Sequence, residues 1–283
     1  MPGVTLFCFL ASYILAFLLE LGRVFRPMQW LRLSSFGASL AGLLAHTIYL
    51  VNRSQNTDLP PLIGSSHDWI LVLAWLVVVA SVMTSLVSLL RKQDLSLDLF
   101  GLPLAVLLVF VAKYSSQDPN LILQQLSTTK MVHSAALVLG VGGVSIGFLL
   151  SVMYLWQHRR LKAKRFGGLQ LSLPSLESLA RLNYWSIMVS IPMLTIGMGT
   201  GVILAVMTKG TPQAVSLFDP YILAYVMTWA LMFALFAWVL ISRHQQGRQV
   251  AMLTAWAFGF LLVSMVGLQL MSGLIKGAGG WHG

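Results

Sequence analysis

Long apolar stretches alternate with short polar segments along the chain. Each stretch is about 17 to 25 residues long, the length of helix that crosses a bilayer. Lipid offers the backbone no hydrogen-bond partners, and these runs are too long and uniformly apolar for barrel strands, so helices are expected. The pattern predicts an all-α polytopic membrane helix bundle of about eight transmembrane helices. The expected spans are about 3–22, 34–52, 68–90, 98–114, 132–156, 185–208, 220–242 and 250–274.

Composition supports a membrane protein and excludes soluble enzyme folds. Hydrophobic residues make up 57% of the 283 residues and charged residues only 9%, against about 25% charged residues in soluble domains. The net charge of +10 is carried in short loops between apolar runs, so it indicates topology rather than a nucleic-acid partner. The single cysteine, Cys8, excludes an intramolecular disulfide and a thiolate metal cluster.

The loops differ in basic residues, and this predicts the orientation. Most of the 18 lysines and arginines follow spans 1, 3, 5 and 7. Cytoplasmic loops are enriched in these residues, which predicts both termini outside, on the periplasmic side of the cell inner membrane. The chain is expected to form one membrane domain over 1–283.

The largest predicted cytoplasmic connection, 158–184, begins with a basic cluster. Its second part has leucines at a helical spacing, which makes one apolar stripe. We expect a basic amphipathic loop whose helix lies on the inner leaflet, in contact with the lipid bilayer. The leucines are Leu173, Leu176, Leu179 and Leu182.

Histidines are the main candidates for chemistry because neutral imidazole binds metals and haem iron. His46, His133 and His282 all fall on the predicted outer side. His133 is either a boundary histidine at the headgroups or a ligand, and His46 is either a ligand or the source of an interhelical hydrogen bond. Since His133 and His282 share one membrane face, two imidazoles there could supply both axial positions of one haem.

Other polar and small residues can be explained by structural roles rather than by chemistry. Asp219 before Pro220 is a good helix entry, because aspartate caps free N–H groups and proline fits the first turn, and a site role stays open. Gly143 and Gly147 have the small-xxx-small spacing of close helix packing. The chain has no Walker loop, HExxH or GxSxG motif, so hydrolytic and nucleotide-driven chemistry lack support.

A resemblance to a known family lies in two stretches around span 6. They read SLESLARLNYW from Ser175 and IPMLTIGMGTGVILA from Ile191. These stretches resemble the CcsA/ResC/HemX family of cytochrome c assembly membrane proteins, where a segment like SLExLDRLNYR…GFPLLTLGLxTGxxWA leads into an outer tryptophan-rich loop. The run QHRRLK from Gln157 is similar to the family's QERRLK. The resemblance covers nearly the whole chain.

The resemblance implies haem handling at the outer face, with haem as the cofactor. His133 resembles the first outer histidine of the family and His282 the second, while His46 falls near a histidine that often occurs in that span. The family's loop reads approximately WGxxWxWDPKET, whereas this chain has VSLFDPYI from Val215. Asp219 is kept and Phe218 stands where the last tryptophan is expected, so most of the aromatic surface that would stack on a porphyrin is lost.

Two functions follow from the resemblance. The first is a membrane component of cytochrome c biogenesis that binds or presents haem at the outer face for attachment to apocytochrome c, beside a ResB-like partner. Such a chain would not be an enzyme on its own. The alternative is a HemX-like regulator of haem biosynthesis that acts through loop 158–184. The retained histidines favour assembly, and the loss of tryptophans favours regulation.

Overall fold

The computed structural model describes nine stretches of the chain, and they contain helices and no strand. The described residues are 5–26, 28–57, 65–90, 97–115, 117, 128–162, 174–209, 220–241 and 247–278. The helices are α1 (Leu6–Phe25), α2 (Gln29–Thr57), α3 (Ser66–Leu90), α4 (Asp98–Tyr114), α5 (Thr128–Lys162), α6 (Leu176–Met207), α7 (Pro220–Ile241) and α8 (Gly247–Ala278). The all-α prediction is confirmed.

Five of these helices, α1, α2, α3, α5 and α6, are long and apolar enough to cross a membrane. The protein is therefore a multi-pass membrane protein. The number of spans and the side of the termini stay predictions.

The most extensive packing joins α5 to α6. A side chain at Gly143 would collide with Ser190 of α6, and a Cβ at Gly147 would lie 2.6 Å from the Phe258 ring of α8. The two glycines therefore let neighbouring helices approach closely, as helices in membranes do where small residues meet. The packing role predicted for them is confirmed.

Helices α1 to α4 form one group, in which α1 packs on α2 and α4, and α3 packs on α2 and α4. Helix α3 also packs on α5, outside this group. Two ion pairs lie in this part, where an isolated charge in a medium of low dielectric would be costly. Arg53 of α2 and Asp68 of α3 form an ion pair of 2.9 Å. At the other end of the group, Arg23 lies 3.2 Å from Glu20.

The leucine stripe of segment 158–184 lies partly on the first turns of α6. Ser175 caps this helix by accepting a hydrogen bond from the Ser178 N–H at 3.2 Å. Leu179 is fully buried beside Met153 of α5, whereas Leu182 is 48% exposed. The stripe thus continues into α6, which runs unbroken to Met207. Residues 163–173 lie outside the described part, and the domain boundaries stay a prediction.

Candidate functional site

His133 lies in the second turn of α5, against α6. Its Nδ1 is 2.8 Å from the carbonyl oxygen of Gly197 and 3.3 Å from the Thr200 hydroxyl. A carbonyl oxygen only accepts hydrogen bonds, so Nδ1 carries the hydrogen and donates it. In the neutral ring the lone pair is then on Nε2, which makes no hydrogen bond within the described residues. His133 therefore has the tautomer and the free nitrogen that a metal ligand needs.

Gly201 of α6 makes room for the His133 imidazole. A Cβ at Gly201 would lie 3.0 Å from Cε1 of His133 and 3.4 Å from Nδ1. At Gly199, two residues earlier, a Cβ would meet nothing within 4 Å. The absence of a side chain therefore matters at Gly201, where it lets the ring reach the Gly197 carbonyl.

His46 lies in a different place, between α1 and α2. Its ring is fully buried. Nδ1 is 3.1 Å from the Tyr13 hydroxyl, and the Phe9 ring stacks on the imidazole at 4.2 Å. Gly42 permits this contact, since a Cβ there would lie 2.6 Å from the Tyr13 ring. The interhelical hydrogen bond considered for His46 is present.

The second nitrogen of His46, Nε2, is buried and has no hydrogen-bond partner among the residues that the structure describes. A porphyrin at bonding distance from this nitrogen would require the surrounding helices to separate. His46 therefore fits a structural role in this arrangement, and its ligand role stays a prediction.

Sequence reasoning missed the role of His67, which lies in the first turn of α3. The residue is 1% exposed. Its Nδ1 donates to the Ala112 carbonyl of α4 at 2.7 Å, and its Nε2 lies 3.3 Å from the Tyr49 hydroxyl of α2. Both nitrogens are thus engaged, and His67 links three helices. No local signal identifies it, because its partners lie 18 and 45 residues away.

The remaining candidates, Phe218, Asp219 and His282, lie outside the described residues, and their roles stay predictions. In the described part of the chain, no group of three His, Cys, Asp or Glu residues could hold a metal ion. The described residues therefore bring no such cluster of ligands to His133.

The direction of the helices identifies the end of the bundle to which His133 belongs. A Cβ at Gly247 would lie 2.8 Å from the Tyr154 hydroxyl, and Gly147 faces Phe258. Residue numbers therefore rise along α8 as they fall along α5, so the two helices are antiparallel. The contacts of α6 show the same relation, with Gly147 facing Ser186 and His133 facing Gly201. Both α6 and α8 thus end where α5 begins.

Comparison with known proteins identifies the family. Residues 2–275 match the family described as Cytochrome C assembly protein. The chain belongs to this family. The predicted resemblance is confirmed, and membership implies haem handling in general.

The chain is similar to both kinds of protein that its sequence resembles. The chain is 24% identical to the cytochrome c biogenesis protein CcsA of Guillardia theta over 274 residues, which is 89% of this chain and 87% of the relative. It is 26% identical to Protein HemX of Bacillus subtilis (strain 168) over 151 residues, or 53% of this chain and 52% of the relative. Protein HemX of Brevibacillus brevis is 26% identical over 174 residues, or 60% of each chain. The match therefore spans only about half the length of the B. subtilis protein.

The residues around His133 fit a haem ligand. Iron-ligating histidines usually donate their other N–H to a carbonyl or carboxylate, which fixes the tautomer and raises the basicity of the ligating nitrogen. The Gly197 carbonyl does this for His133. This contact fits an iron-ligating histidine, and the ligand role of His133 stays a prediction.

Proposed function

We propose that this protein holds haem for cytochrome c assembly, with His133 and His282 as the two axial ligands. One observation carries the proposal. Nδ1 of His133 donates a hydrogen bond to the Gly197 carbonyl oxygen at 2.8 Å, and Nε2 has no hydrogen-bond partner in the described residues.

The helix directions support a shared site. Because α6 and α8 both end where α5 begins, the segments that follow them start at the end of the bundle that carries His133. The segment after α6 contains Phe218 and Asp219. His282 follows the last residue of α8, Ala278, by four positions. The positive-inside pattern predicts that this end faces outside.

Each residue has a defined task in this proposal. His133 and His282 would hold the iron, and the Gly197 carbonyl orients the His133 ring. Phe218 offers an aromatic surface to the porphyrin, and Asp219 lies beside it in the chain. The bound haem supplies the groups that react with the cysteine thiols of apocytochrome c. The chain itself positions haem, and a ResB-like partner completes the complex.

The absorption spectrum of the full chain tests the proposal. The protein would be purified in detergent from haem-replete cells, with the variants His133→Ala and His282→Ala. His158→Ala is the matched control, because His158 lies at the opposite end of α5. We expect a Soret band with bis-histidine features in the parent and the control, and a weakened band in the two test variants. A parent without a Soret band, even after haem is added, would refute the proposal.

A second candidate is HemX-like regulation of haem biosynthesis through segment 158–184. It is favoured by the two HemX relatives and by the loss of tryptophans before Asp219. The resemblance connects HemX with control of the glutamyl-tRNA reductase step. Capture of purified glutamyl-tRNA reductase by the protein, with loss of capture when the basic residues at 159–165 are replaced by glutamine, would support regulation. Failure of the parent protein to capture it would exclude this function.

A further inference from the structure

A cavity of about 650 Å³ lies between the end of α5 and the beginning of α8. Arg159 and Lys162 of α5 and Arg248 of α8 make its lining cationic, and His158 of α5 lies beside them. This is the end of α5 opposite His133, so the cavity is separate from the proposed haem site. The positive-inside pattern predicts that it faces the cytoplasm.

The basic and the apolar residues of the lining lie at different depths along α5 and α8. Leu155, Arg159 and Lys162 lie on one face of α5, and Arg248, Met252 and Trp256 recur every fourth residue on α8. Because α5 and α8 are antiparallel, Lys162 and Arg248 lie toward the same end. Leu155 and Trp256 lie deeper in the bundle. The cavity is therefore cationic toward the helix ends and apolar toward the membrane interior.

The positive charge of the cavity is not balanced by its lining, since no carboxylate lines it among the described residues. The neighbouring segments 163–173 and 242–246 contain basic residues and no acidic residue. Glu177, the nearest acid in the sequence, lies on α6 and pairs with Arg181 at 3.3 Å. Within the described residues, the lining therefore presents three cationic side chains and no carboxylate to a bound anion.

The apolar half indicates what kind of anion the cavity takes. Trp256 is 76% exposed and Met252 is 42% exposed. A small soluble anion gains nothing from these side chains, whereas a lipid can lay an acyl chain along them. Tryptophan is also enriched at the boundary between headgroups and acyl chains. Basic pockets between membrane helices on the cytoplasmic side bind anionic headgroups.

We propose that this cavity is a binding site for an anionic phospholipid of the inner leaflet. The lipid phosphate lies among Arg159, Lys162 and Arg248, and an acyl chain runs along Met252 and Trp256. The site does not depend on haem binding at the other end of the bundle.

Native mass spectrometry of the full chain in detergent tests this site, with cardiolipin and phosphatidylcholine as the added lipids. We expect the parent protein to prefer cardiolipin by at least tenfold. Each of Arg159→Gln, Lys162→Gln and Arg248→Gln should weaken cardiolipin binding about fivefold, since a basic residue near an anionic surface contributes ~1 kcal/mol. Arg26→Gln is the matched control, because Arg26 is exposed, lies on the same predicted side and does not line the cavity.

Three results would overturn the proposal. The first is equal binding of cardiolipin and phosphatidylcholine by the parent. The second is a loss in Arg26→Gln as large as in the cavity variants, which would indicate a general surface charge effect. The third is displacement of cardiolipin by millimolar inorganic phosphate together with unchanged binding in Trp256→Ala, which would identify a soluble phosphate ligand instead. Each variant is first shown to elute as the parent does, so that loss of folding is recognised.

Discussion

Replacement of Gly201 by alanine tests whether the position of the His133 ring controls haem binding. The new Cβ would lie 3.0 Å from Cε1 of His133 and 3.4 Å from Nδ1. Carbon atoms are at their optimal separation at about 3.5–4.0 Å. The imidazole must therefore move away from α6 by roughly 0.5 Å or more.

This movement acts on the hydrogen bond that orients the ring. The Nδ1 to Gly197 oxygen distance is 2.8 Å, and a retreat of that size brings it to or beyond the upper limit of about 3.2 Å for such bonds. Loss of the group that accepts a hydrogen bond from a metal-ligating histidine typically weakens metal affinity about 10-fold to 100-fold. Because alanine disturbs this hydrogen bond without removing the carbonyl, we expect haem affinity to fall about tenfold.

Haem titration followed by the Soret absorbance measures this effect. Gly199→Ala is the matched control, because it lies two residues away on the same helix and its Cβ would meet nothing within 4 Å. Both substitutions make the same change in helix propensity, so a difference between them reports on His133. The reasoning is refuted if Gly201→Ala binds haem as tightly as the parent, or if both variants lose the same affinity.

Two further predictions concern stability, measured as thermal unfolding in detergent. Tyr13→Phe leaves Nδ1 of the buried His46 without its partner and should lower the free energy of unfolding by about 1–3 kcal/mol. The control Tyr114→Phe, at a residue 54% exposed, should change it by less than about 0.5 kcal/mol. Similar losses in both variants would contradict the role of this hydrogen bond. Gly143→Leu places a side chain between α5 and α6 and should cost about 1–3 kcal/mol, whereas Gly37→Leu meets open space and should be neutral. An undisturbed Gly143→Leu protein would show that the helices do not pack as described.

Hydropathy predicted the helices well and their ends less well. The apolar run predicted for span 5 is 132–156, whereas α5 extends over Thr128–Lys162. Likewise span 6 was expected from 185, and α6 begins at Leu176. An apolar run reports the thickness of the hydrocarbon core, whereas a helix continues wherever backbone hydrogen bonds and packing sustain it. Leu179 of α6, which belongs to the same buried cluster as Met153 of α5, shows such packing.

The sequence predicted residue types at the site but not their partners. His133 is a candidate because of its position at a membrane boundary. Its contact with Gly197 depends on the register of α5 against α6, which no local pattern contains. His67 shows the same limit more strongly, since its partners come from two other helices.

Chemical rescue of His133→Gly tests the central claim most directly. The variant would be purified from haem-replete cells, and its absorption spectrum recorded before and after imidazole is added. If the His133 imidazole is an axial ligand, the variant loses the bis-histidine spectrum and free imidazole restores it. A variant that keeps the parent spectrum without imidazole would contradict the assignment of His133 as a haem ligand.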